Sequence, residues 1–304
     1  MKSNAIQKMT VVVALIVVAS SGVRAAVPEH VHDKDYWRAI IADDYAPPAD
    51  VPLASLVAEL SGYLGSPDAE LRDGIGYAVL TQWLYVKKAV PPDLRRELIA
   101  EWMANLRQGI GEKGTDSVLK RSFSALMLSI VAALDNEELF LDRKEFDALL
   151  QAALAYLRDE KDTRGFDAEQ GWLHSVAHTA DLLKFLGRSR HLAASEQAAV
   201  LTAIARKMAR LDHVLVHGED ERLARAVVSI VARPDVDMQA LEEFLSALEP
   251  VRSEGFPGPQ TLATNQNQRN LAVTLFAVLY TDTRDLESVR AAREHVLGLL
   301  RTTM

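Results

Sequence analysis

The stretch EKDTRGFDAEQGWLHSVAHTADLLKFLG, Glu160 to Gly187, decides how this chain is read. It opens with polar, turn-forming residues, among them Asp162, Arg164 and Gly165, and then settles into a pattern of helical period. On a wheel of about 100° per residue, Trp172, Val176, Leu183 and Leu186 share one side, the natural core-facing stripe. His174, His178 and Asp181 fall together in a sector of roughly 60° on the other side. Asp167 with Gln170 three residues on reads as a capping box, and Gly187 suits the left-handed position after a last turn. The spacing predicts one helix from about Ala168 to Leu186. Between Gly171 and Phe185 only Asp181 and Lys184 carry formal charge, so the histidine stripe is expected to be partly covered, as at the wall of a groove.

Working outward, similar apolar periods alternate with short breaks at Pro47-Pro48, Gly65-Ser66-Pro67, Pro91-Pro92, Gly109 to Gly114, Gly218 and Arg233-Pro234, and no alternating strand run intervenes. The fold class is therefore all-α. Pairing consecutive helices places units near Pro52, Pro91, Arg143, Ala194 and Pro234, a spacing of roughly 40 to 50 residues. That rhythm predicts a right-handed superhelix of antiparallel helix pairs, a HEAT- or armadillo-like α-solenoid forming one repeat domain over residues 49–304. Residues 26–48 read as an amino-terminal capping helix and linker. Trp83, Tyr85 and Trp102 read as packing between repeats. The connection from Pro250 to Asn265, running into NQNQRN, reads as a long hinge whose amides cap the next helix.

The segment E-x-D-x-R-G followed by G-W-x-H-x-x-A-H-x-x-D is present as Glu160, Asp162, Arg164, Gly165, then Gly171, Trp172, His174, Ala177, His178 and Asp181. With Glu219 to Leu223 (EDERL) as a second match, it resembles the DUF2785 family. The resemblance covers the chain from roughly Pro52 onward and is compatible with the NQNQRN segment, Asn265 to Asn270. It implies an all-helical repeat fold and no established activity.

Composition narrows the classes further. The 304 residues carry a formal charge of -8, with 49% hydrophobic and 6% aromatic residues. A full core is possible. A nucleic-acid binder is not indicated, because phosphate binding needs concentrated Lys and Arg. Lys2 and Lys8, the apolar run Val11 to Ala19 and the small-residue site Val23-Arg24-Ala25 have the three parts of a cleaved signal peptide, residues 1–25. The run is shorter than the roughly 20 residues of a membrane span. The expectation is an exported protein, periplasmic or secreted, without a stable membrane span after cleavage. With no cysteine, neither disulfide nor thiol chemistry is available.

The candidate ligand or metal residues are Asp162, Arg164, Trp172, His174, His178, Asp181, Glu219, Glu221 and Arg222. His174, His178 and Asp181 have the spacing at which successive helical turns reach one divalent metal ion. The zinc-protease pattern is incomplete, since Ser175 stands where the general-base Glu belongs. Three functions stay open. The leading one is binding of a protein or small-molecule ligand in a groove lined by GWLHSVAHTAD and GEDERL. The alternatives are a metal-dependent hydrolase using His174, His178 and a carboxylate, and a purely structural envelope protein whose polar network fixes the register of its helices.

Overall fold

The computed structural model describes residues 32–252 and 254–303. The signal-peptide reading of residues 1–25 lies outside the described residues. Among the described residues the regular structure is helical apart from one hairpin of two-residue strands. The helices are α1 (Lys34–Ala42), α2 (Leu53–Tyr63) and α3 (residues 70–86), then α4 (Pro92–Asn105), α5 (Ser117–Glu137) and α6 (Arg143–Asp159). They continue as α7 (Ser175–Arg188), α8 (Ala194–Met208), α9 (Glu219–Val231), α10 (Met238–Ser246), α11 (Pro259–Thr281) and α12 (Glu287–Thr303). The expected unit starts at Pro52, Pro91, Arg143 and Ala194 each fall within one residue of a helix start, because Pro and capping residues favour first turns. Asp142 shows the capping physics in full: it accepts the Glu145 amide at 2.8 Å while Glu145 accepts the Asp142 amide at 2.8 Å.

The helices pack in two rows. α3, α5, α7, α9 and α11 lie side by side in one, while α6, α8, α10 and α12 neighbour one another in the other. α7 also meets α6 and α8 behind it. Its apolar residues Val176, Ala177, Ala180, Leu182, Leu183 and Leu186 are all buried, the larger ones each contributing about 1.5–3 kcal/mol. At the amino-terminal end of the described residues, Asp33 caps α1 through the Tyr36 amide at 2.9 Å, and Trp37 is fully buried. Trp83 and Trp102 are core residues, donating to the Tyr45 carbonyl at 2.7 Å and to Ser61 Oγ at 2.9 Å.

Among the described residues one helix, α5, is long and apolar enough to cross a membrane, and it is mostly buried inside the protein. The expected hinge ends sooner than the sequence suggests. NQNQRN lies inside α11, where Asn267 accepts the Leu215 amide and donates to the His213 carbonyl, both at 2.8 Å, and Asn265 exchanges bonds with the Val251 backbone. These amides pin the loops before α9 and after α10 and do not cap the helix. Gly187 also departs from expectation. It lies within α7, where an added Cβ would meet Ile230 at 3.3 Å and Ser229 at 3.4 Å, so it serves the close approach of α7 and α9.

Candidate functional site

Residues 166–172 form a hairpin where the sequence predicts the first turns of a helix. Phe166 pairs with Trp172 and Asp167 with Gly171. Asp167 does accept two forward amides, from Glu169 at 2.8 Å and Gln170 at 3.0 Å, the bonding that makes it resemble a cap. Gly171 then takes φ 75° and returns the chain, so the same bonds close an Asx turn. Arg72, buried in α3, fastens the hairpin by donating to the carbonyls of Gln170 at 2.5 Å and Trp172 at 3.2 Å. α7 starts only at Ser175, preceded by His174 in the left-handed conformation, φ 48° and ψ 34°. The Gly165 carbonyl holds that entry by accepting from the amides of Leu173 at 2.9 Å and His174 at 3.2 Å.

The wheel prediction holds for Val176, Leu183 and Leu186, which lie in the core, while the opposite stripe is covered more fully than expected and Trp172 is not in the core. His174, His178 and Asp181 are buried, whereas Trp172, expected in the core, is 42% exposed. With α5 and α9 on its flanks and α6 and α8 behind, α7 has no wet side, and residues before Ser175 do not follow its helical phase. Ser122 Oγ donates to the Leu173 carbonyl and therefore accepts from His178 Nδ1 at 2.8 Å. This places the His178 proton on Nδ1. Phe123 packs edge-on against the ring at 4.9 Å, and burial holds the His178 pKa well below its usual value.

His174 is arranged differently. Its ring lies 4.2 Å from that of Trp172 at a tilt of 31°, and 5.7 Å from His178. Its Nε2 is buried without a hydrogen-bond partner. Burial lowers its pKa, with the nearby Glu219 charge acting in the opposite sense.

The two sequence motifs do meet. Arg222 of α9 donates to Asp181 Oδ2, and Lys184 donates to Oδ1 at 3.0 Å. Buried Glu219 accepts the His217 amide at 2.8 Å. Gly165 lies so close to this corner that a Cβ would fall 2.4 Å from His217 Nδ1 and 2.6 Å from Glu219 Oε1. The His217 ring is 6.2 Å from Trp172 and 6.4 Å from Phe166, completing an exposed aromatic rim. Glu221 is not part of it: its carboxylate turns outward to Arg225 at 2.7 Å.

Asp162 and Arg164 tie loops together. Asp162 accepts from the Gly114 amide at 2.8 Å and from Arg164 Nη2 at 2.7 Å, while Arg164 also donates to the Thr115 carbonyl at 3.0 Å. Burial would raise the Asp162 pKa, but Arg164 and the Gly114 amide outweigh it and hold the carboxyl below its ordinary range. The expected metal set of His174, His178 and Asp181 does not converge. Both Asp181 oxygens face cations, His178 Nδ1 faces Ser122, and among the described residues no three His, Asp or Glu side chains cluster as ligands.

Arg72, Ser122, Phe123 and Phe166 join this site without any sequence signal, since each arrives from a distant helix or from the unexpected hairpin. The family model described as a protein of unknown function, DUF2785, matches residues 106–276. The chain belongs to the DUF2785 family. The matched region takes in every residue of the DUF2785 motifs named above and NQNQRN, but begins well after Pro52. No curated protein and no solved structure matches the chain. Within this DUF2785 chain the two motifs therefore form one corner, split between a buried half around His178 and Asp181 and an exposed half around Trp172 and His217.

Proposed function

We propose that this chain is an exported binding protein of helical-repeat architecture, which takes a ligand or partner at the rim formed by Phe166, Trp172, His174 and His217. The two-row packing of helices supports a solenoid, in which loops at one end of a row supply the binding surface. Export rests on the amino-terminal sequence alone.

The observation that carries the binding reading is His174. A non-glycine residue at φ 48° costs on the order of 1 kcal/mol, and a buried unpartnered nitrogen adds on the order of 1–3 kcal/mol. A residue serving stability alone would not combine both. The unpartnered Nε2 is the ring atom able to bond a ligand hydroxyl or amide. That atom is buried and the Trp172 ring packs 4.2 Å from the imidazole, so engagement requires the hairpin to shift. The hairpin is short enough for this, its pairing being two residues on each strand.

His174→Asn tests the reading without knowledge of the ligand, because Asn tolerates the left-handed region and leaves no imidazole orphan. Urea denaturation should show the variant as stable as the parent, or more stable by about 1 kcal/mol. A loss above about 2 kcal/mol would assign His174 to the structural network and remove the basis for a binding site.

A further inference from the structure

A second site lies between α6 and α8, where none of the His174 rim residues reaches. Ser195, Ala198, Ala199, Thr202, Ala203, Arg206 and Lys207 recur at helical spacing along one face of α8. The alanines are too small to fill the space opposite Leu154 of α6, and a cavity of about 710 Å³ remains. That volume is within the range of roughly 300–1,000 Å³ typical of small-molecule sites. The face from Ser195 to Lys207 runs roughly 18 Å at 1.5 Å per residue.

One end of this trough is cationic although the chain is acidic overall. Lys113, Arg158, Lys161, Arg206, Lys207 and Arg210 all line the cavity. Lys113 is paired with Asp212 at 3.0 Å and Arg158 with Asp159 at 2.6 Å. Of the acids on the wall, Glu160 is taken up by Arg121 at 2.6 Å. Lys161, Arg206, Lys207 and Arg210 have no carboxylate within ion-pair distance among the described residues. Lys207 is the inner one: it is 8% exposed, and its ammonium donates only to the Glu160 carbonyl at 2.6 Å. Burial pulls its pKa down to about 8. Cations in a last helical turn complement the helix dipole, which accounts for Arg158, Arg206 and Lys207 one at a time. The dipole does not account for Lys161 and Arg210, which lie outside the helices, or for a buried ammonium facing an open cavity.

We infer that this trough binds a small amphiphilic anion, with its carboxylate, sulfonate or phosphate head among Lys161, Arg206, Lys207 and Arg210 and its apolar body along Leu154, Ala198 and Ala203. An anion there supplies a direct ion-pair partner to cations that have none, Lys207 feeling Glu160 and Asp159 only beyond ion-pair distance, and the alanine wall gives up apolar surface to the body. Its ligand class is separate from the proposal for His174, and either reading can fail alone.

The test is a fluorescence titration of the whole chain with 8-anilinonaphthalene-1-sulfonate, followed by displacement with decanoate or inorganic phosphate. Saturable one-to-one binding is expected, with displacement by decanoate and little by phosphate. Ala203→Trp fills the trough without altering charge, and Arg206→Glu with Arg210→Glu reverses two exposed charges. Each should weaken binding at least tenfold while circular dichroism stays unchanged. Should Ala203→Trp fail to fold, the charge-reversed variant decides alone. Absence of saturable binding, binding that the charge-reversed variant leaves intact, or displacement by phosphate but not by decanoate would each overturn the inference.

Discussion

Replacing His178 should change how stability depends on pH in the acidic range. Its ring is buried against Ser122 and Phe123, and its pKa lies well below the ordinary value of 6.5. Well above pH 6.5 the imidazole is neutral whether the chain is folded or not, and the residue contributes no pH dependence. As the pH falls through 6.5 the unfolded chain takes up a proton that the folded chain refuses, and stability is lost until the folded pKa is reached. For a reference pKa of about 6.5 and a folded ring that stays neutral throughout, this amounts to about 1.2 kcal/mol between pH 6.0 and 5.0. His178→Asn removes the titration and retains an amide able to donate to Ser122. Packing against Phe123 suffers, so absolute stability drops, but the readout is the slope. Urea denaturation followed by circular dichroism at pH 6.0 and 5.0 should show the parent losing about 1 kcal/mol more than the variant across that interval. Equal losses would mean that His178 takes up its proton in the folded chain as readily as in the unfolded one, and that burial does not hold the ring neutral.

Three further outcomes follow from the same packing. Arg121→Met leaves Glu160 buried without its guanidinium and should cost about 3–5 kcal/mol in chemical denaturation. Iodide should quench a single tryptophan population, because Trp37, Trp83 and Trp102 are fully buried while Trp172 is exposed; Trp172→Phe should abolish the quenching, and Arg72→Lys, by loosening the hairpin, should increase it. Gly165→Ala drives a methyl into His217 and Glu219 and should lower stability by about 1–3 kcal/mol, with unchanged stability showing that the corner is loosely packed.

Most of the helical framework was legible because it is written locally. Asp33, Asp142 and Asp237 cap helices through side-chain bonds to amides three residues on, and the prolines at 91 and 92 open another, so element starts follow from adjacent residues. The site was legible in location and not in form. Asp167 makes the bonds of a cap and still begins a hairpin, because the deciding contacts come from Gly171 and from Arg72 on another helix. The helical wheel assigned Trp172 to the core because it assumed that the helix already ran through that residue. Glu221, adjacent to Asp220 and near Glu219, reads as equivalent to them in sequence; one helical step turns it to Arg225 and away from the site.

By itself the sequence determined the class of the fold, the helix starts set by a local cap or proline, the absence of thiol chemistry and the family, since each depends on residue type, short spacing or a motif along one stretch of chain. Tertiary structure alone decided that both sides of α7 are covered, which carboxylates are taken by cations, that His174 keeps a buried unpartnered nitrogen, and that α6 and α8 leave a cationic trough between them. Those outcomes depend on distances between residues tens of positions apart. Local propensity does not encode such distances; they are settled only when the rows of helices pack and each polar group finds, or fails to find, a partner.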